Sequence, residues 1–328
     1  MKIKGSGKLF ELIPCKQNSP EWLELRGLAI GGSDVAAIMG LSPWRTPAEI
    51  WLEKTGKAEP EDLSDRPYVQ RGHDLEDMVA AEYHKRHPDR IVHKVNAICR
   101  SIKRPWAQAS LDREVCYPTE SDQQKRWGVL EIKTARDDRD WQEGIPPYYL
   151  TQVTHYMSVT GRSFADVFVL FVEQWRYEEF HIERDEEDIE AVNAAVDGFW
   201  HDFVETDTMP ELVGTDGESK GLAQWHRQSN GEVLESVGPE ADLAISEYQD
   251  AVAAEKEAKE RKSAAGAKLR AIIGDAKGIV TDVAKVTWSR SESSRLNAKK
   301  LKEDHPDIVS AYSTLYVRDG GLRITEVK

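Results

Sequence analysis

Two periodicities alternate along the first part of the chain: apolar residues every three or four positions, then apolar residues at every second position. "SPEWLELRG" offers Ser19 as N-cap and Pro20 at the first helical position, which predicts a helix. "GGSDVAAIMG" predicts a short apolar helix opened at Ser33 behind Gly31 and Gly32 and closed by Gly40. "TPAEIWLEKTG" predicts a third, capped by Thr46 and Pro47 and stopped at Gly56. A polar loop over residues 57–68 leads to "VQRGHDLEDMVAAEYHKRH", where Leu75, Met78, Val79 and Tyr83 share a helical face. Three strand-like runs follow, "IVHKVNAIC", "WAQASLDREVCY" and "WGVLEIKT". "PPYYLTQVTHYMSVTG" reads as a helix with proline at its start and Gly161 at its end. "ADVFVLFVEQWRYEEFHI" reads as a hairpin turning at Glu173–Trp175. "RDEEDIEAVNAAVDGFWHDFVE" is amphipathic, with Ile189, Val192, Val196, Phe199, Trp200 and Phe203 on one side and an acidic first turn that suits the helix dipole.

The pattern changes after the turn-rich "TMPELVGTDGESKG". A long Ala/Glu/Lys-rich helix with weak heptad order follows, then a small unit built from "VAKVTWSR", "NAKKLKEDHPDIVSAYS" and "LRITEV". This places a domain boundary near residue 210, with residues 1–210 as one domain and 211–328 as an appendage. The appendage could serve as an oligomer contact, a docking arm or a lid, and its composition equally suits a plain solvent-exposed helix. No internal repeat is visible.

Composition narrows the class. No apolar window has the length of a membrane span, and "MKIKGSGKLFELIPCK" lacks a signal-peptide core, so a soluble intracellular protein is expected. Cys15, Cys99 and Cys116 are scattered and imply neither a disulfide framework nor a metal cluster. The net charge of −14 argues against a uniformly positive nucleic-acid surface. Its distribution softens that: Glu173 to Asp207 holds 13 acidic and 2 basic residues, whereas residues 1–172 hold 25 acidic and 24 basic. DNA therefore stays open as a partner.

The candidate chemistry lies in "GVLEIKTARD". On a strand, Glu131 and Lys133 point to one face and Ile132 to the other. Such a pair is either a salt bridge or half of a site. Asp112, in "SLD" on the preceding strand, can converge with Glu131, and Glu76 on a helix can add a third carboxylate. Oxygen ligands of this kind suit Mg²⁺ or Mn²⁺. Beside such a metal, Lys133 could orient and deprotonate a water and offset charge on a phosphoryl transition state. The Gly31–Gly32 turn before Ser33 exposes N–H groups that favour an anion, and Arg26 can add a bidentate grip. The plainer alternative is a Ser cap and a surface Arg. His73 and His155 read as packed or surface residues, and Trp22, Trp44 and Trp51 as core, although Trp44 in "SPWR" could stack on a base.

Five stretches in order, "PEWLELRGLAIGGSDVAAIMG", "RGHDLEDMVAAEY", "ASLDREV", "LEIKT" and "YYLTQVTHYM", resemble the YqaJ or phage-lambda-type alkaline exonucleases, RecB-like members of the PD-(D/E)xK nucleases. Leu111 stands where the family's PD element has proline. The resemblance implies an α/β fold with a mixed central sheet flanked by helices. It assigns Asp112, Glu131, the Ile132 backbone oxygen and Glu76 to the metal site, with Lys133 as catalytic lysine. Gln152 and Tyr156 match the family's Q-x-x-x-Y element; the plainer reading packs Tyr156 in the core. Arg26 and Ser33 match its 5′-phosphate pocket, and Val69 its strand-separating wedge, with Tyr68 or Pro67 as alternatives.

The implied activity is Mg²⁺-dependent 5′ to 3′ digestion of linear double-stranded DNA. It would leave 3′ overhangs for a single-strand-annealing recombinase, in the bacterial cytoplasm and within a phage, prophage or mobile-element system. A homotrimeric ring is implied as well. Two rivals stay open: a structure-selective or single-strand endonuclease on the same fold, and an inactive DNA-binding scaffold.

Overall fold

The protein is described here by a computed structural model covering residues 8–17, 19–61, 63, 65–118, 126–227, 230–234, 238–289, 291–313, 322 and 324. It divides into two compact units, Met1–His226 and Arg227–Lys328.

Local sequence sets the first helices. In α1 (Pro20–Gly27) the Ser19 hydroxyl accepts from Trp22 N at 3.2 Å, and in α3 (Pro47–Lys54) Thr46 accepts from Glu49 N at 3.3 Å. Gly40 and Gly56 both adopt positive φ after their helices, a conformation that only glycine adopts without strain. The helix between α1 and α3, α2 (Gly32–Ile38), opens one residue earlier than expected. Its N-cap is Gly31, whose N–H donates to the Asp34 carboxylate at 3.0 Å, which leaves the Ser33 side chain free for another partner. The loop before α4 (Pro67–Arg86) ends at Arg66, where Pro67 starts the helix. Val79, Ala80 and Tyr83 form the buried face of α4, and Met78, expected on it, is exposed.

The three expected strand runs are five strands in two sheets. The first splits into β2 (Ile91–Lys94) and β3 (Ala97–Ser101), and the second into β4 (Gln108–Ala109) and β5 (Arg113–Tyr117). Together with β1 (Phe10–Pro14), β3 and β4 form a small antiparallel sheet in the order β1-β3-β4. The central sheet has the order β2-β5-β6-β7-β8, with β6 (Arg126–Ala135), β7 (Phe164–Phe171) and β8 (Arg176–Glu183). In this sheet, among the described residues, only β6 and β7 pair in parallel, because α5 (Pro147–Thr160) forms the crossover between them. The expected mixed sheet flanked by helices is present.

Alternate residues of β6 and β7 supply two cores. Val129, Val167, Val169 and Phe171 pack with α2, α3, α5 and α6 (Glu186–Phe199) on one face. Leu130, Ile132, Phe168 and Leu170 pack with Val79, Ala80 and Tyr83 of α4 on the other. Each such side chain, fully buried, contributes about 1.5–3 kcal/mol against the entropy of ordering the chain.

The unit continues past residue 210 through α7 (Asp216–Trp225). The buried Glu218 accepts from the Thr46 hydroxyl at 2.6 Å and from Gly214 N at 2.7 Å, tying this segment to the start of α3. The second unit holds α8 (Pro239–Ile273), the hairpin of β9 (Gly278–Val280) and β10 (Lys285–Thr287), and α9 (Ala298–Asp304) and α10 (Pro306–Ala311). The strand expected in "LRITEV" falls almost wholly outside the described residues. No helix among the described residues is long and apolar enough to cross a membrane.

Candidate active site

Strand parity in β6 turns Glu131 and Lys133 toward α5. The Glu131 carboxylate is buried, and its Oε1 accepts from Lys133 Nζ and from Gln152 Nε2, both at 2.7 Å. Lys133 Nζ also reaches Gln152 Oε1 at 3.2 Å, and Gln152 Nε2 donates to the Tyr156 hydroxyl at 3.0 Å. The i, i+4 spacing on α5 thus brings Gln152 and Tyr156 to one face beside Glu131. Tyr156 is buried as the plainer reading held, yet its hydroxyl belongs to the polar set.

Asp112 lies between β4 and β5 rather than on a strand. Its neighbour Arg113 pairs with Leu130, so Asp112 sits one register step further on, toward Glu131. It is fixed there by Ile132 N–H, which donates to its Oδ2 at 3.0 Å. Burial raises the pKa of Asp112, and Glu76 adds to the rise. Burial and the charge of Asp112 push Glu131 up to about 8. For Lys133 burial acts downward, but Glu131, Tyr149 and Asp112 outweigh it and hold the ammonium protonated.

Arg26, Ser33, Val69, Glu76, Asp112, Glu131, Ile132, Lys133, Gln152 and Tyr156 all line one cleft of about 480 Å³. Arg26 Nη2 donates to Ser33 Oγ at 2.9 Å. The helix carrying Ser33 is anchored by the buried Asp34, which pairs with Lys54 at 2.8 Å, Arg45 at 3.5 Å and Arg26 at 4.0 Å. These cations overcome burial and hold Asp34 well below the usual carboxylate range. Gly32 permits the approach of α2 to α5, since a Cβ there would run into the Tyr156 ring and lie 2.9 Å from Gln152 Cγ.

Glu76 is the partial exception. It lines the cleft, but its Oε1 accepts from Arg113 Nη1 at 2.6 Å. No cluster of three His, Cys, Asp or Glu residues suited to a metal exists among the described residues. Val69 is half-buried in the first turn of α4, beside the exposed Tyr68.

A model of the YqaJ-like viral recombinase domain matches residues 21–163. The protein YqaJ of Bacillus subtilis (strain 168), itself described as uncharacterized, is 30% identical over 298 residues, covering 88% of each chain. The chain belongs to the YqaJ family. The solved alkaline exonuclease LHK-Exo from Laribacter hongkongensis is similar over 58% of this chain and 94% of its own, at 22% identity and a TM-score of 0.46. A phage related exonuclease from Haemophilus somnus 129PT is similar over 57% and 98%, at 14% identity and a TM-score of 0.42.

Every candidate residue from Arg26 to Tyr156 lies inside the matched YqaJ segment. Other members of the constellation carry no local signal in the sequence. Tyr149 sets its ring 4.7 Å from Lys133 Nζ, and Arg113 holds Glu76. Ser110 accepts from Trp22 Nε1 at 3.1 Å at the cleft wall. His155 is a packed residue, as expected: it is buried against the Gln108 carbonyl, and burial pushes its pKa down to about 4.

The residues present fit a hard divalent cation in one respect that the structure shows directly. Glu131 Oε2 is buried and, among the described residues, accepts no hydrogen bond, a condition that a bound cation would relieve. The other carboxylates of the cleft, Asp112 and Glu76, offer oxygens, the preference of Mg²⁺ or Mn²⁺.

Proposed function

We propose that this YqaJ-family chain is a metal-dependent exonuclease that digests linear double-stranded DNA from its 5′ ends and leaves 3′ single-stranded overhangs for an annealing recombinase. The observation that carries the reading is Glu131: a buried carboxylate clamped by Lys133 and Gln152, facing Asp112, with one oxygen unclaimed. Asp112, Glu131, the Ile132 carbonyl and Glu76 would hold Mg²⁺, which when bound would supply Lewis acidity toward the scissile phosphodiester and lower the pKa of water. Lys133 places a fixed positive charge where the phosphoryl group gains negative charge. Gln152 fixes the rotamers of Glu131 and Lys133 together, and Tyr156 fixes Gln152.

Arg26 and Ser33 are proposed to bind the 5′-terminal phosphate, since the guanidinium and hydroxyl already share the cleft wall. Val69 is proposed as the wedge at the terminal base pair. A ring of three copies around the duplex, with the acidic stretch over 173–207 turned outward, belongs to the same reading; a monomer in solution, by sedimentation, contradicts that part.

The test uses linear duplexes bearing a 5′-phosphate or a 5′-hydroxyl, labelled at either strand end, in Mg²⁺. Early release of the 5′ label, slower from the hydroxyl form, is the expected result. Arg26→Ala should erase the phosphate preference while leaving residual cleavage. Early release of the 3′ label would overturn the polarity.

A further inference from the structure

Trp44 sits in the loop between α2 and α3 and is 65% exposed, where core packing was expected. An indole left in water is held there by an anchored backbone. The Ser42 hydroxyl accepts from both Trp44 N and Arg45 N at 3.2 Å. The next side chain, Arg45, is clamped to Glu53 at 2.5 Å and to the buried Asp34 at 3.5 Å. Asp34 is also the residue that anchors the helix of Ser33.

From Trp44 a line of aromatic rings runs to the catalytic lysine. The Trp44 and Tyr148 rings meet edge to face at 4.7 Å, Tyr148 meets Tyr149 at 4.5 Å, and Tyr149 lies 4.7 Å from Lys133 Nζ. Tyr149 lines the cleft. An edge-to-face pair with one ring in solvent leaves a π-face open, which is the element that unpaired bases stack on whatever their sequence.

We propose that Trp44, backed by Tyr148, is a stacking subsite for an unpaired DNA base next to the cleft, extending the nuclease reading on which it rests. The shared ligand chemistry is a nucleobase freed from its pair; its source is either the strand being digested or the complementary strand left behind. A second copy of the chain is the competing occupant of this indole.

The experiment uses the full chain in EDTA, so that DNA is bound but not cut. The probes are duplexes with one single-stranded end, carrying 2-aminopurine in either the 5′-ended or the 3′-ended unpaired segment. Wild type and Trp44→Phe should quench the probe in one of the two strands, which names the source. Trp44→Ala should lose that quenching and about tenfold in affinity for the single-stranded end, with little change for a blunt duplex. Equal affinity and equal quenching in Trp44→Ala overturn the subsite, and a changed oligomer mass with unchanged DNA affinity assigns the indole to an interface between copies. Circular dichroism confirms that the exposed-site variants are folded. A parallel Mg²⁺ digest of linear duplex by wild type separates the two readings: cleavage together with unchanged quenching and affinity in Trp44→Ala sinks only the subsite, whereas DNA binding without cleavage sinks the nuclease reading.

Discussion

At the scale of single residues, the account turns on Glu131. Its carboxyl ionises near 4.5 when unfolded and only near about 8 when buried beside Asp112. The folded chain therefore holds a proton that the unfolded chain has lost, and this contribution to stability is complete below pH 4.5 and lost as pH rises through about 8. In EDTA, thermal melts should show Glu131→Gln gaining on wild type across that window. Mg²⁺ should stabilise wild type more at pH 8 than at pH 6, and the variant little at either, because the cation must displace the proton. A wild-type melt that ignores both pH and Mg²⁺ removes the metal from Glu131. The strand parity that pairs Glu131 with Lys133, and the i, i+4 pair of Gln152 and Tyr156, are visible in the sequence as periodicity. The grip of Arg113 on Glu76 and the ring of Tyr149 over Lys133 are not, because each joins residues on different elements.

At the scale of elements, α2 is held by two devices that can be tested separately. Asp34 neutralises three cations from α1, α3 and the loop between α2 and α3. Asp34→Asn leaves the buried Lys54 ammonium without its carboxylate, while Arg45 keeps Glu53, and should cost about 3–5 kcal/mol, read from chemical denaturation. Its depressed pKa also predicts a contribution present above pH 4 and lost as acid protonates it. Gly32→Ala acts differently: the new Cβ strikes Tyr156 and crowds Gln152, so cleavage should fall at least tenfold with a smaller loss of stability. Undiminished cleavage in Gly32→Ala would show that the Gln152–Tyr156 geometry is not needed. Helix starts were legible wherever Ser19 or Thr46 precedes proline, since capping is local. The strands were legible only as runs: Asn96 and Asp112 interrupt them, and which piece joins which sheet depends on distant partners. Trp44 reads as core if it is placed on a helix, with base stacking as the alternative, and its position in the loop between α2 and α3 exposes it.

At the scale of the whole molecule, the mixed sheet was expected from the family resemblance alone, and the parallel pairing of β6 with β7 across α5 is what makes it mixed. The end of the first unit was hidden, because a Gly-rich segment reads as a linker unless one knows that Glu218 caps back onto Thr46. Among the described residues, the two cores on either face of the central sheet draw on the first unit alone. A chain ending at His226 should therefore fold cooperatively by circular dichroism, whereas one ending at residue 210 should lose stability with the Glu218 tether. The net charge of −14 hid the DNA reading only while the acidic stretch over 173–207 was averaged with the near-neutral remainder. The most direct test of the nuclease reading compares wild type and Lys133→Ala on linear duplex and covalently closed circles, in Mg²⁺ and in EDTA. Degradation of the linear duplex alone, by wild type alone and only in Mg²⁺, is the predicted result; cutting of the circle, or undiminished degradation by Lys133→Ala, contradicts it.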